Sequence, residues 1–395
     1  MTTHGVVIVG GGLAAVRIAE QLRKSEYAGP VTVVSDEDHP PYDRPPLSKE
    51  ILQDEAKGLA DVALKPVEFY AENGITLRLG SPAQTLDVGA RTVTLADGSE
   101  LPYDELIIAT GLVPKRIPSL PDLEGIRVLR TIGESLALRQ HAAGATRAVV
   151  IGAGFIGCEV AASLRKLGVD VVLVEPQPVP LAGVLGEPIG ELIARVHRAE
   201  GVDVRTGVGV AEVRGDDHVR QVVLSDGSEI EADLVIIGIG SRPATGWLSG
   251  SGVELAADGG VICDAAGRSS ADHVWAAGDV ASWRNADGHQ SRVEHWSNVA
   301  DQVKILVSAV LNQEVPNVPA VPYFWSDQYD VKIQCLGEPK STDRVHIVED
   351  DGRKFLAYYE RDGVLVGVVG GGMPGKVMKA RAKVAAAVPI ADVLG

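Results

Sequence analysis

Cysteine is scarce in this chain: three in 395 residues, Cys158, Cys263 and Cys335. Their spacing forms neither a disulfide framework nor a metal knuckle. That excludes a stapled secreted scaffold, fits a reducing compartment and makes the cytoplasm the expected location. Aromatic residues are sparse as well, at 4%. No run of about 18 apolar residues occurs, so no membrane-spanning helix is expected. The first strand-like run starts at Val6, which leaves no room for a signal peptide before it. Positive charge is in deficit, with 37 Lys and Arg against 53 Asp and Glu and a formal net charge of −16. Nucleic acid and anionic membrane are therefore not expected as partners.

Glycine, by contrast, is plentiful, with 45 residues. Two glycine-rich turns stand out, each following an apolar strand and opening a helix. The first is VVIVGGGLAAVRIAEQL, with Gly10, Gly12 and Ala15. The second is AVVIGAGFIGCEVAASL, with Gly152, Gly154 and Gly157. In such a turn the first glycine allows the tight bend, and the second lets backbone approach a pyrophosphate. A small third residue packs helix on strand, and the helix N-terminus offers free N–H groups to phosphate. With Leu13, Ala14 and Ile156 between them, these residues form two candidate dinucleotide cradles. One such turn is a weak signal, but two in the right context imply two dinucleotides.

An acid should close the following strand and hold a ribose. VTVVSDE supplies Asp36, with Glu37 beside it, and VDVVLVEPQ supplies Glu175. A carboxylate at Glu175 accepts from a ribose 2′-hydroxyl and repels a 2′-phosphate, and no arginine follows it in EPQP. The second cradle should therefore prefer NAD over NADP. The duplication extends further. DELIIATGLVPK, with Ala109 and Gly111, is echoed by ADLVIIGIGSRPAT, with Gly238 and Gly240. Both halves carry an Asp-Gly-Ser-Glu hairpin turn, at 97–100 and 226–229. The chain reads as two nucleotide units in tandem.

Prolines 114, 118 and 121 mark one linker, and prolines 316, 319 and 322 mark another. Beyond the second, YFWSDQYDVKIQCLG, VHIVED, KFLAYYE and VLVGVVG alternate as strands. A single helix is expected from about Gly375 to Val388. As a helix, GKVMKARAKV would place Lys376, Lys379 and Lys383 on one face, as a docking patch or as a solvated surface.

A short strand running into a Gly-Asp turn, HVWAAGDV, adds Gly278 and Asp279. With the two glycine turns and IIATG, it resembles the two-dinucleotide flavoprotein reductases of the glutathione-reductase-like group. Three further motifs, PPYDRPPLSKE, VEHWSNVADQ and YFWSDQY, resemble the oxygenase-coupled NADH-dependent ferredoxin reductases. This resemblance covers essentially the whole chain. It implies an α/β fold with two Rossmann-like dinucleotide-binding domains and a small α+β C-terminal domain. The implied boundaries are 1–112 and 244–321 for FAD, 113–243 for NAD, and 322–395 for the C-terminal domain. One departure from the family pattern is the stretch after GVVGGGMPGK, which is shorter and more glycine-rich than the resemblance implies.

The resemblance also implies site roles. Asp279 would bind the flavin ribitol, and Arg44, Ala83 and Arg130 would contact FAD. Lys49 would lie beside the flavin N5 and pair with Glu159, taken to sit in the first turn of the second cradle's helix. Trp296 would border the flavin and nicotinamide, and Trp325 would face the acceptor side. Plainer readings stay open for these: a solvated Lys49, a dipole-complementing Glu159, a core Trp296, a packing Trp325 and an Arg44–Asp43 pair. The acceptor implied is a 2Fe-2S ferredoxin that serves a cytochrome P-450 or a Rieske-type oxygenase. The PPLSK loop carries Ser48 and no thiol, so electrons would leave the flavin without a cysteine relay. Two alternatives remain: a reductase of a small organic acceptor resembling monodehydroascorbate reductases, and an interaction protein resembling apoptosis-inducing factor.

Glu175 generates a direct expectation. The protein should show a higher kcat/KM with NADH than with NADPH. Glu175→Ala combined with Gln177→Arg should narrow or reverse that ratio in steady-state assays. A wild-type preference for NADPH would overturn the assignment.

Overall fold

The computed structural model describes residues 4–285, 288–316 and 321–394, so boundary residue Pro319 lies outside the described residues. The chain divides into two compact units. The first comprises Met1–Arg44, Leu59–Val113 and Ser241–Ala320, and the second comprises Pro45–Gly58, Pro114–Gly240 and Val321–Gly395.

The first unit is built on a five-stranded, wholly parallel sheet. Its order is Val274–Ala276, Glu105–Ile108, Val6–Val9, Val31–Val34 and Ile75–Arg78. The strands are short, and the four besides the edge strand Ile75–Arg78 are mostly apolar and buried, as a parallel sheet covered on both faces requires. The helix Leu13–Lys24 turns Ala15, Ile18, Ala19 and Leu22 into the core, and the helix Asn298–Val310 packs beside it. Ile75–Arg78 takes the sheet edge, whereas Thr92–Leu95 joins a three-stranded antiparallel piece with Ala83–Asp87 and Glu100–Pro102.

The second unit repeats this plan. Its parallel sheet runs Asp203–Thr206, Asp170–Glu175, Arg147–Ile151, Leu234–Ile237 and Ile126–Arg127. Four strands take equivalent places in the two sheets. The fifth comes from opposite directions along the chain: Val274–Ala276 follows its sheet's other strands, and Ile126–Arg127 precedes them. An antiparallel piece is repeated as well, from Val210–Gly215, Val219–Leu224 and Glu229–Glu231. The twin hairpin turns share geometry. Asp97 Oδ1 accepts from the hydroxyl and N–H of Ser99, and Asp226 Oδ1 from the N–H and hydroxyl of Ser228.

Segment Pro45–Gly58 is anchored within the second unit. Leu52 is fully buried in one cluster with Leu138 and Leu164. Arg139 Nη1 donates to the carbonyls of Ile51, Asp54 and Lys57, at 2.8, 2.6 and 2.9 Å.

The C-terminal part of this unit is a five-stranded antiparallel sheet. Its order is Tyr323–Gln328, Val331–Gly337, Val364–Gly371, Phe355–Arg361 and Arg344–Asp350. The glycine-rich run has a packing reason, since a Cβ on Gly371 would fall 2.4 Å from the Phe355 ring. The single helix expected over 375–388 is instead two, Pro374–Lys379 and Arg381–Ala385. The backbone tightens at Ala380, whose N–H bonds the Val377 carbonyl, and this turns both residues into the core. Lys376 pairs with Glu349, which removes it from a free lysine face. Two parallel sheets with their helices and a small α+β part make the chain α/β, as expected. Among the described residues, no helix is long and apolar enough to cross a membrane.

His197, on the helix Glu187–Ala199, is fully buried, and burial pushes its imidazole down to about 4. The native state therefore holds it neutral while the unfolded chain binds a proton below about 6.5. Stability from this group is complete above that pH and is lost progressively as pH falls towards 4. The full loss is on the order of 3 kcal/mol. Urea unfolding at pH 7 and pH 4.5 should show a steeper loss in wild type than in His197→Asn. Equal slopes would remove His197 as a contributor.

Candidate active site

In a parallel sheet all strand C-termini share one edge, and that edge is where the first unit gathers its candidate residues. Gly10 follows Val9, Asp36 follows Val34, Ala109 and Gly111 follow Ile108, and Gly278 and Asp279 follow Ala276. Gly10 has φ +138°, and a Cβ there would fall 2.1 Å from the Ala109 carbonyl oxygen. Gly12 caps the helix Leu13–Lys24 without a side-chain hydrogen bond, and a Cβ on it would meet nothing within 4 Å. The first-turn N–H groups beside Leu13 and Ala14 thus face an open cradle suited to phosphate. Gly278 sits against this helix: its added Cβ would stand 3.1 Å from Ala14 Cβ. The buried Gln302 side chain accepts the Gly278 N–H at 2.8 Å, and Arg292 donates to the Asp279 carbonyl at 3.1 Å. This edge fits a dinucleotide of the FAD class.

Three other residues of the first unit belong to segments outside the parallel strands. Trp296 is 39% exposed and donates Nε1–H to Asp43 Oδ1 at 2.9 Å, so it is not a core tryptophan. Arg44 donates to Glu37 Oε1 at 2.8 Å, where the sequence reading offered Asp43 as its partner. Ala83 opens the strand Ala83–Asp87 and pairs with Leu95.

The second unit repeats the edge. Gly152, at φ +97°, follows Ile151, Glu175 ends its strand, and Gly238 and Gly240 follow Ile237. A Cβ on Gly157 would fall 2.0 Å from the Gly152 carbonyl oxygen, so only glycine lets the helix Phe155–Lys166 approach. Gly154 is the uncapped N-cap with open space above it, and Ile156 is exposed beside it. Glu175 accepts from Ala153 N–H at 2.7 Å and Gln177 N–H at 3.0 Å. Those bonds use two of about four acceptor positions and leave the others for ribose hydroxyls. The edge fits NAD. Arg130 follows the strand Ile126–Arg127 in this unit, and its N–H donates to Glu134 at a helix capping box.

Glu159 lies in the second turn of Phe155–Lys166, not the first, and its side chain is buried at 4% exposure. Its carboxylate accepts four hydrogen bonds. Lys49 Nζ reaches Oε2 at 2.9 Å and Ser48 Oγ reaches the same oxygen at 2.5 Å. Ser326 Oγ reaches Oε1 at 2.9 Å and the Asp327 N–H reaches it at 3.3 Å. Both Lys49 and Glu159 are largely withdrawn from solvent, so neither is an ordinary surface charge. Gln53 and Ser163 extend the network: Ser163 donates to the Ser48 carbonyl and accepts from Gln53. In the same unit Trp325 stacks on Tyr323 at 5.9 Å between ring centroids.

Sequence reasoning noted Ser48 only for its lack of a thiol and passed over Ser326 and Gln302. All three lie inside motifs already singled out (PPLSK, YFWSDQY and VEHWSNVADQ), and that was the available signal. The three cysteines are unbridged and buried, and burial pushes the Cys263 thiol up to about 12 and raises the other two as well. None is poised as a thiolate.

The sequence pattern described as pyridine nucleotide-disulphide oxidoreductase matches residues 4–302, and the one described as reductase C-terminal matches 323–393. A ferredoxin–NAD(P)(+) reductase of Sphingomonas sp. is 36% identical over 371 residues, covering 92% of this chain and 89% of its own. The ferredoxin reductase for the CYP199A2 system of Rhodopseudomonas palustris superposes with a TM-score of 0.94 at 32% identity, over 100% of this chain and 98% of its own. The covalent putidaredoxin reductase–putidaredoxin complex gives 0.93 at 29% identity, over 99% and 95%. The chain belongs to the pyridine nucleotide-disulphide oxidoreductase family, in the branch that carries a reductase C-terminal domain.

Proposed function

We propose that this protein is an FAD-dependent NADH:ferredoxin oxidoreductase. It passes electrons to a 2Fe-2S ferredoxin that serves a cytochrome P-450 or a Rieske-type oxygenase. The observation that carries this reading is similarity along the whole chain, C-terminal domain included, to reductases whose names specify a ferredoxin. Three unbridged thiols suit work in the cytoplasm.

On this reading the first unit's edge holds FAD, through Gly10, Gly12, Leu13, Ala14, Asp36, Ala109, Gly111, Gly278 and Asp279. The second unit's edge holds NADH, through Gly152, Gly154, Ile156, Gly157, Glu175, Gly238 and Gly240. Arg44, Ala83 and Arg130 complete the FAD contacts, and Trp296 borders the reacting rings. Bound FAD supplies the conversion of a hydride from NADH into single electrons for the acceptor. The chain supplies alignment, which contributes roughly 7–11 kcal/mol to such reactions. Lys49 supplies a fixed positive charge where negative charge accumulates as electrons arrive. Glu159 orients that ammonium, and the network around it holds the pair.

NADH-driven reduction of 2Fe-2S ferredoxins, measured beside ferricyanide and ascorbate radical, tests the acceptor. The ferredoxin should show the highest kcat/KM of the biological acceptors. Preference for the ascorbate radical would favour a reductase of small organic acceptors instead.

Lys49→Met should slow flavin reduction by NADH in stopped-flow by at least about tenfold, a barrier change of roughly 1.4 kcal/mol. It should also lower stability by about 1–3 kcal/mol, because buried Glu159 loses a donor. Lost stability with an unchanged rate would make Lys49 purely structural.

A further inference from the structure

Behind Ser326 the polar network continues into the second unit's interior. Gln328 Nε2 donates to Ser326 Oγ at 3.2 Å. Gln328 Oε1 lies 3.0 Å from His197 Nε2, and Tyr329 Oη lies 2.9 Å from His197 Nδ1. Ser326, Gln328 and His197 are buried to 1% exposure or less. The directions of these bonds fix one another. The Gln328 amide faces Ser326 with its NH₂, so the serine accepts there and spends its single proton on Glu159 Oε1. The Gln328 oxygen then needs a donor, so His197 carries its proton on Nε2. Its Nδ1 accepts from the Tyr329 hydroxyl, which burial keeps protonated.

The reverse arrangement fails at Glu159. With the His197 proton on Nδ1, the Gln328 amide must flip, and Ser326 must donate to the Gln328 oxygen. Glu159 Oε1 would then lose its serine donor at a buried site, where an unmet acceptor is costly. A second observation indicates that the sequence maintains this order. Tyr329 has φ +59°, left-handed backbone at a two-residue hairpin turn where glycine or asparagine is the usual choice. A tyrosine held there costs conformational energy, yet it delivers the hydroxyl that closes the relay on His197.

We propose that Ser326, Gln328 and His197 are positioning residues for the reductase reaction: their one-way relay of hydrogen bonds holds the Glu159 carboxylate as an acceptor on Lys49. This rests on the role given to Lys49 above. It makes the charge at Lys49 depend on the C-terminal sheet as well as on the nucleotide-binding unit.

The test is a double-mutant cycle on the FAD-loaded enzyme, read by stopped-flow flavin reduction with NADH. Ser326→Ala and Gln328→Met are each measured in the wild-type and Lys49→Met backgrounds, with melting temperatures alongside. Each should slow reduction roughly three- to tenfold in wild type and less than about twofold once Lys49 is gone, because coupled residues are not additive. Long-range ¹H–¹⁵N spectra of histidine-labelled protein give an independent readout. His197 should be neutral with its proton on Nε2 in wild type, and Gln328→Met should erode that preference. Equal slowing in both backgrounds, no slowing at all, or a wild-type His197 protonated on Nδ1 would each overturn the relay. If Lys49→Met itself leaves the rate unchanged, the role of Lys49 falls first and the relay falls with it. Should Ser326→Ala fail to fold, Gln328→Met and the histidine spectra decide the matter.

Discussion

A carboxylate withdrawn from water must be met by donors or must give up its charge, and Glu159 is met by four. Those donors come from separate stretches of sequence. Ser48 and Lys49 belong to the proline-rich segment, Ser326 and Asp327 to the first strand of the C-terminal sheet. Glu159 itself rides on the helix behind the second glycine turn. One side chain therefore fixes where three parts of the second unit stand. Removing a single partner would leave a buried charge short of a donor, which costs more than the intact pair contributes.

The second constraint is the shared edge of a parallel sheet. Strands of one direction deliver their following loops to the same side, so residues far apart in sequence converge without special arrangement. In the first unit Gly10, Asp36, Ala109 and Asp279 are brought together in this way, and in the second Gly152, Glu175 and Gly238. Open helix N-termini at Gly12 and Gly154 give both edges their preference for phosphate.

Much of this was legible in the sequence, because it is local. A glycine turn, the acid closing the next strand and an Asp-Gly-Ser-Glu hairpin are each read from a few neighbouring residues. What escaped was the far end of long-range hydrogen bonds. Nothing near Ser326 in the chain announces that its hydroxyl meets Glu159, and nothing near Gln302 announces Gly278. The single C-terminal helix failed for a similar reason: Val377 and Ala380 both face the core, and packing tightened the backbone between them. Glu159 itself was found as a residue but placed a turn too early.

The two sheets differ in where their fifth strand comes from, and this bears on the order in which the chain folds. Val274–Ala276 pairs with Glu105–Ile108 across the whole of Pro114–Gly240. On the ribosome, the first unit's sheet stays unfinished until that stretch has emerged. The second unit's parallel sheet is complete by Ile237, before the first unit's last strand exists. Closing the long loop costs entropy before any contact rewards it. The parallel sheet within Pro114–Gly240 can therefore form first, and the sheet that began the chain gains its last strand afterwards.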